Sequence, residues 1–183
     1  MRVFFIKYYF CANQKHKQPK KMKKLIFGFL ILLAATANAQ KTKKIKFSVG
    51  LEIAAVTGNL NIPYSIAIGG TAQLDYMVSS DAAITLNTGL IQLIGRKINN
   101  TNLKYRSTTL IPLLVGVKYY FIPKFYGSAQ LGTSVSTQTG GGSTFTYIPG
   151  VGYKIDEKLD ILLKYTGYSG DGGTFGVRLG YSF

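Results

Sequence analysis

The 183 residues are one domain's worth, and with 21 Gly, 13 Tyr, 11 Phe and only 16% charged residues they are not composed like an ordinary soluble enzyme. Such a balance suits a β protein rich in buried surface or one that faces lipid. The net charge of +15 is not spread over the chain: from Phe47 onward ten Lys/Arg face seven Asp/Glu, so the distributed basic face that nucleic-acid binding needs is missing.

The remaining cations come earlier. Eight, from Arg2 to Lys24, precede the first long apolar run, and Lys41, Lys43, Lys44 and Lys46 follow it. Residues 1–21 match no standard leader and are expected to be an upstream extension, with translation starting at Met22. Residues 22–39 have the three parts of a cleavable signal peptide. Lys23 and Lys24 follow the methionine, Leu25 to Leu33 form the apolar core, and Ala37-Asn38-Ala39 is a small-x-small cleavage site. The apolar run is shorter than the roughly 20 residues of a spanning helix. Cys11 and His16 are the sole cysteine and histidine. Removing the leader therefore removes disulfide and thiol chemistry, histidine acid–base catalysis and His/Cys metal sites. Cys11 follows Tyr9 and Phe10, not the small residues of a lipidation site. No catalytic residue, metal or cofactor is expected.

A short basic segment, 40–46, leads into a domain expected to run over 47–183. Apolar residues recur there at every second position, the period of a strand whose faces meet different surroundings. The first strand starts near Phe47, with Phe47, Val49, Leu51 and Ile53 against Ser48, Gly50 and Glu52. The second sets Ile66, Ile68, Leu74 and Tyr76 against Ala67, Gly69, Gln73 and Asp75. The third shows Ile84, Leu86 and Leu90. The fourth is clearest: Ile111, Leu113, Val115, Val117, Tyr119 and Phe121 oppose Gly116, Lys118 and Tyr120. The fifth, about 125–135, is weaker because Gly127 and Ala129 fall on its apolar face. Phe145, Tyr147, Val151, Tyr153 and Ile155 mark the sixth, and Leu159, Ile161, Leu163 and Tyr165 the seventh. Thr174 to Phe183 is the eighth, with Phe175, Val177, Leu179, Tyr181 and Phe183 between Gly176, Arg178, Gly180 and Ser182.

Connections alternate in length. Three-residue links are expected at Ile122–Lys124 and Asp156–Lys158, and a slightly longer one at Met77–Asp81. The links near 55–64, 94–107, 136–143 and 169–173 are mostly longer and rich in Asn, Thr, Ser and Gly. Pro112 and Pro149 each remove a ladder hydrogen bond and are expected at bulges or strand ends.

Alternation is equally compatible with a soluble carrier barrel of the lipocalin kind, which turns its greasy face inward. Three features favour greasy-outward: aromatics at strand ends, an opposite face of Gly, Ser and Thr with single charges, and charges that can pair in a lumen. Glu52, Lys164 and Arg178 are expected at matching depth, with Glu52 accepting from both cations. Lys154 and Asp160 are expected to pair across a tight turn. Such a lumen cluster reads as structural. The longest loop, Gly95–Ser107, carries Arg96, Lys97, Lys104 and Arg106 and is a possible surface-contact loop. Ser169 and Asp171 belong to Ser-Gly-Asp-Gly-Gly, which reads as a turn and not a dyad.

From residue 22 on, the chain resembles the small eight-stranded outer-membrane β-barrel family of the OmpA/OmpX type. The resemblance rests on the leader, the period-two strands, the loop asymmetry and the terminal Tyr181-Ser182-Phe183. It implies an all-β, eight-stranded antiparallel up-and-down transmembrane barrel in the bacterial outer membrane, with residues 40–46 periplasmic. It implies that Tyr181 and Phe183 form the carboxy-terminal signal read by the barrel-assembly machinery. Expected partners are outer-membrane lipid and lipopolysaccharide, with no nucleic acid and a monomeric state. The function expected is structural or cell-surface interaction without catalysis; a narrow pore and a soluble carrier of a hydrophobic ligand are the alternatives.

Overall fold

Strands joined in chain order, each antiparallel to its neighbours, close on themselves when the eighth returns to the first. The structure, a computed structural model, describes residues 44–98, 103–138, 140–170 and 172–183. The expected extension 1–21, the leader 22–39 and residues 40–43 lie outside the described residues. The strands are β1 (Ile45–Thr57), β2 (Tyr64–Met77), β3 (Ala82–Gly95), β4 (Thr108–Ile122), β5 (Phe125–Ser136), β6 (Ser143–Lys154), β7 (Leu159–Tyr168) and β8 (Gly172–Ser182), and a 3-10 turn covers Gly58–Asn61. Closure leaves no exposed sheet edge.

Period-two patterning becomes a partition between two media. Leu51 is 73% exposed, Val115 45% and Leu163 41%, whereas Arg178 is 1% exposed and Thr85 is fully buried. The apolar set covers the outside and the polar set fills the lumen. A soluble carrier would have the reverse, so that alternative is contradicted. Val177, on the outward face, is half-buried.

Several local expectations are corrected. β1 begins at Ile45, two residues before the expected boundary, and pairs there with Tyr76 of β2. β5, expected to be weak, is a twelve-residue strand. Gly127 on its outer face leaves room for the Phe121 ring, which stands 3.1 Å from where a Cβ would be. Neither proline sits at a bulge or strand end. Pro112 pairs with Ser134 of β5, and the β3–β4 pairing skips from Thr88↔Leu113 to Ile91↔Leu110. Pro149 pairs with Ala129 of β5, and the β6–β7 pairing skips from Tyr147↔Gly167 to Gly150↔Lys164. Each ladder resumes in unchanged register, so the missing donor costs a local gap and no bulge. Bulges lie instead between Tyr64 and Ile66 and between Tyr120 and Ile122.

The short links stand at one end of the barrel, the turn end. The bulge shortens the β4–β5 link to Pro123 and Lys124, and the β6–β7 link is four residues, Ile155 to Lys158. Asp156 closes that turn by accepting the Lys158 and Leu159 N–H groups, both at 2.7 Å. Those two bonds hold its carboxyl below the usual carboxylate range. At the loop end the β7–β8 link is only Ser169 to Asp171, so the length asymmetry is not uniform.

Inside, the barrel has two layers. Polar groups and Tyr120, Tyr126 and Leu162 fill the turn half. Toward the loops, Ala67, Leu93, Leu110 and Tyr168 form an apolar plug, and Leu60 of the 3-10 turn packs on it. The inward face expected was rich in Gly, Ser and Thr with single charges. A lumen this narrow leaves polar groups short of partners, and apolar filling avoids that cost.

Leu131, outward on β5 and 54% exposed, tests the partition. Leu131→Arg is expected to destabilise the barrel refolded in vesicles by roughly 2–4 kcal/mol, read from urea unfolding, because the charge enters hydrocarbon. A change within a few tenths of a kcal/mol would mean that this face meets water.

Candidate functional site

The lumen site is built from six inward charged residues on five strands. Glu52 Oε2 stands 2.6 Å from Lys164 Nζ, Asp75 Oδ2 stands 2.7 Å from Lys118 Nζ, and Asp160 Oδ1 stands 3.6 Å from Arg178 Nη1. All six side chains are buried. Cation and carboxylate thus balance within the lumen, as burial of charge demands.

The expected pairings are only partly those present. Glu52 meets Lys164 and accepts from Thr71 Oγ1 at 3.1 Å. Arg178 stands opposite Glu52 in the β1–β8 register, but its guanidinium pairs with Asp160. Two glycines explain the difference. A Cβ on Gly50 or Gly180 would collide with the Arg178 side chain, so their absence opens a track toward the turn end. Along it Arg178 donates to Thr71 Oγ1 at 3.0 Å and Ser48 Oγ at 3.1 Å. Lys154 stands opposite Asp160 in register yet forms no ion pair with it. Asp160 accepts from the Tyr126 hydroxyl and faces Arg178, while Lys154 Nζ lies over the Tyr120 ring, 3.9 Å from its centroid. A ring face is a favourable seat for an ammonium whose carboxylate partner is already engaged.

Sequence reasoning missed the Asp75–Lys118 pair and the amides around it. Gln73 Nε2 donates to Asp75 Oδ1 at 2.7 Å, and Asn87 and Gln130 donate to Gln73 Oε1 at 3.4 and 3.3 Å. The signal was present. Asp75 and Lys118 both belong to the inward set, and between them β3 presents small Ala83 and Thr85, over which the two can meet. The lumen holds a void of about 20 Å³, with Glu52, Thr71, Asn87 and Lys164 among its lining, room for one water. Among the described residues no group of His, Cys, Asp or Glu is placed to hold a metal.

At the loop end, the four basic residues of the β3–β4 connection are brought together as a hairpin. Lys97 and Lys104 form an antiparallel bridge, Tyr105 N–H donates to Arg96 O at 2.9 Å, and Ile98 N–H donates to Leu103 O at 3.0 Å. Arg96 is tied down further, its N–H to Pro63 O at 2.8 Å and its Nη2 to Asn61 Oδ1 at 2.6 Å. Arg96, Lys97, Lys104 and Arg106 are all exposed. Two lysines directly across from each other repel, an arrangement that costs stability.

The last strand is fastened on both sides. Phe183 N–H donates to Phe47 O at 2.9 Å, and the two rings stack at 6.0 Å. Tyr181 meets Phe183 edge-on at 5.2 Å, and both face outward.

Residues 25–183 match the sequence profile of a family described as outer membrane protein beta-barrel domain. No curated protein sequence matches the chain. Among solved structures, Ail, the attachment invasion locus protein of Yersinia pestis, is 15% identical with a TM-score of 0.54, over 78% of this chain and 100% of that one. A de novo designed transmembrane β-barrel is also 15% identical, with a TM-score of 0.52 over 78% of this chain and 98% of that one. A likeness shared equally with a designed barrel speaks for the fold alone.

Glu52→Gln leaves the Lys164 ammonium buried without a counter-charge. It is expected to cost about 3–5 kcal/mol in urea unfolding of the refolded barrel, while Glu52→Gln combined with Lys164→Gln regains much of the loss. Wild-type stability of the single variant would contradict the pairing.

Proposed function

The chain belongs to the outer membrane protein β-barrel domain family and so resides in the bacterial outer membrane, and on that premise we propose that it is a non-catalytic surface-interaction barrel whose β3–β4 hairpin receives an anionic ligand. The observation that carries this reading is the hairpin itself. It extends the β3–β4 ladder past the barrel rim and holds Lys97 and Lys104 opposite each other with Arg96 pinned to Asn61. A mutually repelling basic pair is relieved when an anion lies between its members.

Support for a surface role comes from the lumen, where the charged groups are neutralised in pairs and the loop half is plugged by apolar side chains. With the loop end outside the cell, the hairpin meets the phosphate groups of lipopolysaccharide first. The reading takes residues 22–39 as the exported leader and the chain as a monomer. It takes Tyr181 and Phe183, displayed outward beside Phe47, as the signal for the barrel-assembly machinery.

Binding of phosphorylated core oligosaccharide from lipopolysaccharide to the barrel in nanodiscs tests this. Lys97→Gln with Lys104→Gln is expected to weaken binding roughly tenfold and to flatten its salt dependence. Unchanged affinity would overturn the hairpin reading, and large steady conductance of the wild type in planar bilayers would replace it with a pore.

A further inference from the structure

The turn end opens into a concavity of about 870 Å³ lined by Lys46, Lys124, Lys154 and Lys158. We propose that this vestibule is a binding site for a phosphate-bearing anion on the periplasmic side, separate from the hairpin and independent of it.

The distribution of charge supports this. From Lys44 onward the cations fall into three groups. Lys118, Lys164 and Arg178 are matched in the lumen by Asp75, Glu52 and Asp160. Four more sit on the hairpin, and the remaining five (Lys44, Lys46, Lys124, Lys154 and Lys158) ring the turn end. None of these five lies within 4.0 Å of a carboxylate among the described residues. Four lysines on the lining face two acidic side chains, Glu157 and Asp156, the latter accepting from the N–H groups of its own turn, so cations remain in excess there.

The lysines are also placed. Lys46 and Lys154 share the inward parity of Ser48 and Gly152, so they face the barrel mouth and not the lipid. Lys154 N–H donates to Lys124 O at 2.7 Å, and Ser182 N–H donates to Lys158 O at 2.6 Å, which fixes the backbone that carries three of the four. Lys154 Nζ rests over Tyr120 and has donors left for a ligand. The floor beneath, Lys118–Asp75 and Arg178–Asp160, is neutral in pairs and does not repel an anion. Ile45, Ile155 and Phe183 form a low-dielectric wall that concentrates the field of the ammonium groups. Several flexible point charges around one hollow suit phosphate oxygens better than a single planar carboxylate, which favours the guanidinium fork.

Two sources carry this chemistry, a soluble phosphorylated compound and the headgroup of an anionic phospholipid. Calorimetric titration of the refolded full barrel in non-ionic micelles with tripolyphosphate tests the site. Saturable binding is expected, weakened at least roughly tenfold by Lys46→Gln with Lys154→Gln and again by Lys124→Gln with Lys158→Gln. The second pair lies in exposed turns and does not disturb lumen packing. Thr137→Glu with Ser169→Glu changes the net charge equally at the other end and is expected to leave the titration unchanged. Adding phosphatidylglycerol to the micelles separates the sources: competition assigns the headgroup, and its absence assigns a soluble anion. No saturable binding, or equal weakening by the loop-end pair, overturns the proposal.

Discussion

Pairing β1 with β8 forces every backbone donor and acceptor of the sheet into a ring, and that closure is what allows the molecule to turn its side chains inside out. An open sheet would leave polar edges that hydrocarbon cannot satisfy. Once the ring is shut, each strand has one face toward lipid and one toward a narrow lumen, and period two decides which residue goes where. Phe47 and Phe183 stack across the seam where the ring closes, next to the backbone bond between them.

Closure also dictates how charge is arranged. A lumen too narrow for bulk water accepts ions only as neutral sets, and the three buried pairs are such sets. Gly50 and Gly180 matter here as missing side chains: the space they leave determines which carboxylate Arg178 meets. Cations that find no partner inside collect at the two ends, which is why a protein with a neutral middle displays basic surfaces above and below.

Much of this was legible in the order of residues. The outward set of β4, from Ile111 to Phe121, and that of β8 announce two-faced strands, and the link lengths, the short β7–β8 link apart, separate one end from the other. The apolar plug was not legible, because Leu110 to Val115 is apolar at every position and alternation has nothing to contrast. Nor were the ion-pair partners. Register placed Arg178 beside Glu52 and Lys154 beside Asp160, but the partners of long side chains depend on gaps and neighbouring rings such as Tyr120 and Tyr126. The ladder around Pro112 and Pro149 keeps its register, a tolerance that a propensity rule misses. The hairpin could be read as a basic loop but not as paired backbone, since Lys97 and Lys104 are poor strand signals.

The inside-out partition is most directly tested with tryptophan, which the sequence lacks. Val115→Trp and Leu163→Trp, each refolded into vesicles, place a single indole on the outer face. Brominated acyl chains should quench both strongly, while aqueous acrylamide should hardly affect either. Indoles shielded from both quenchers would put these positions in a dry protein interior and contradict the account.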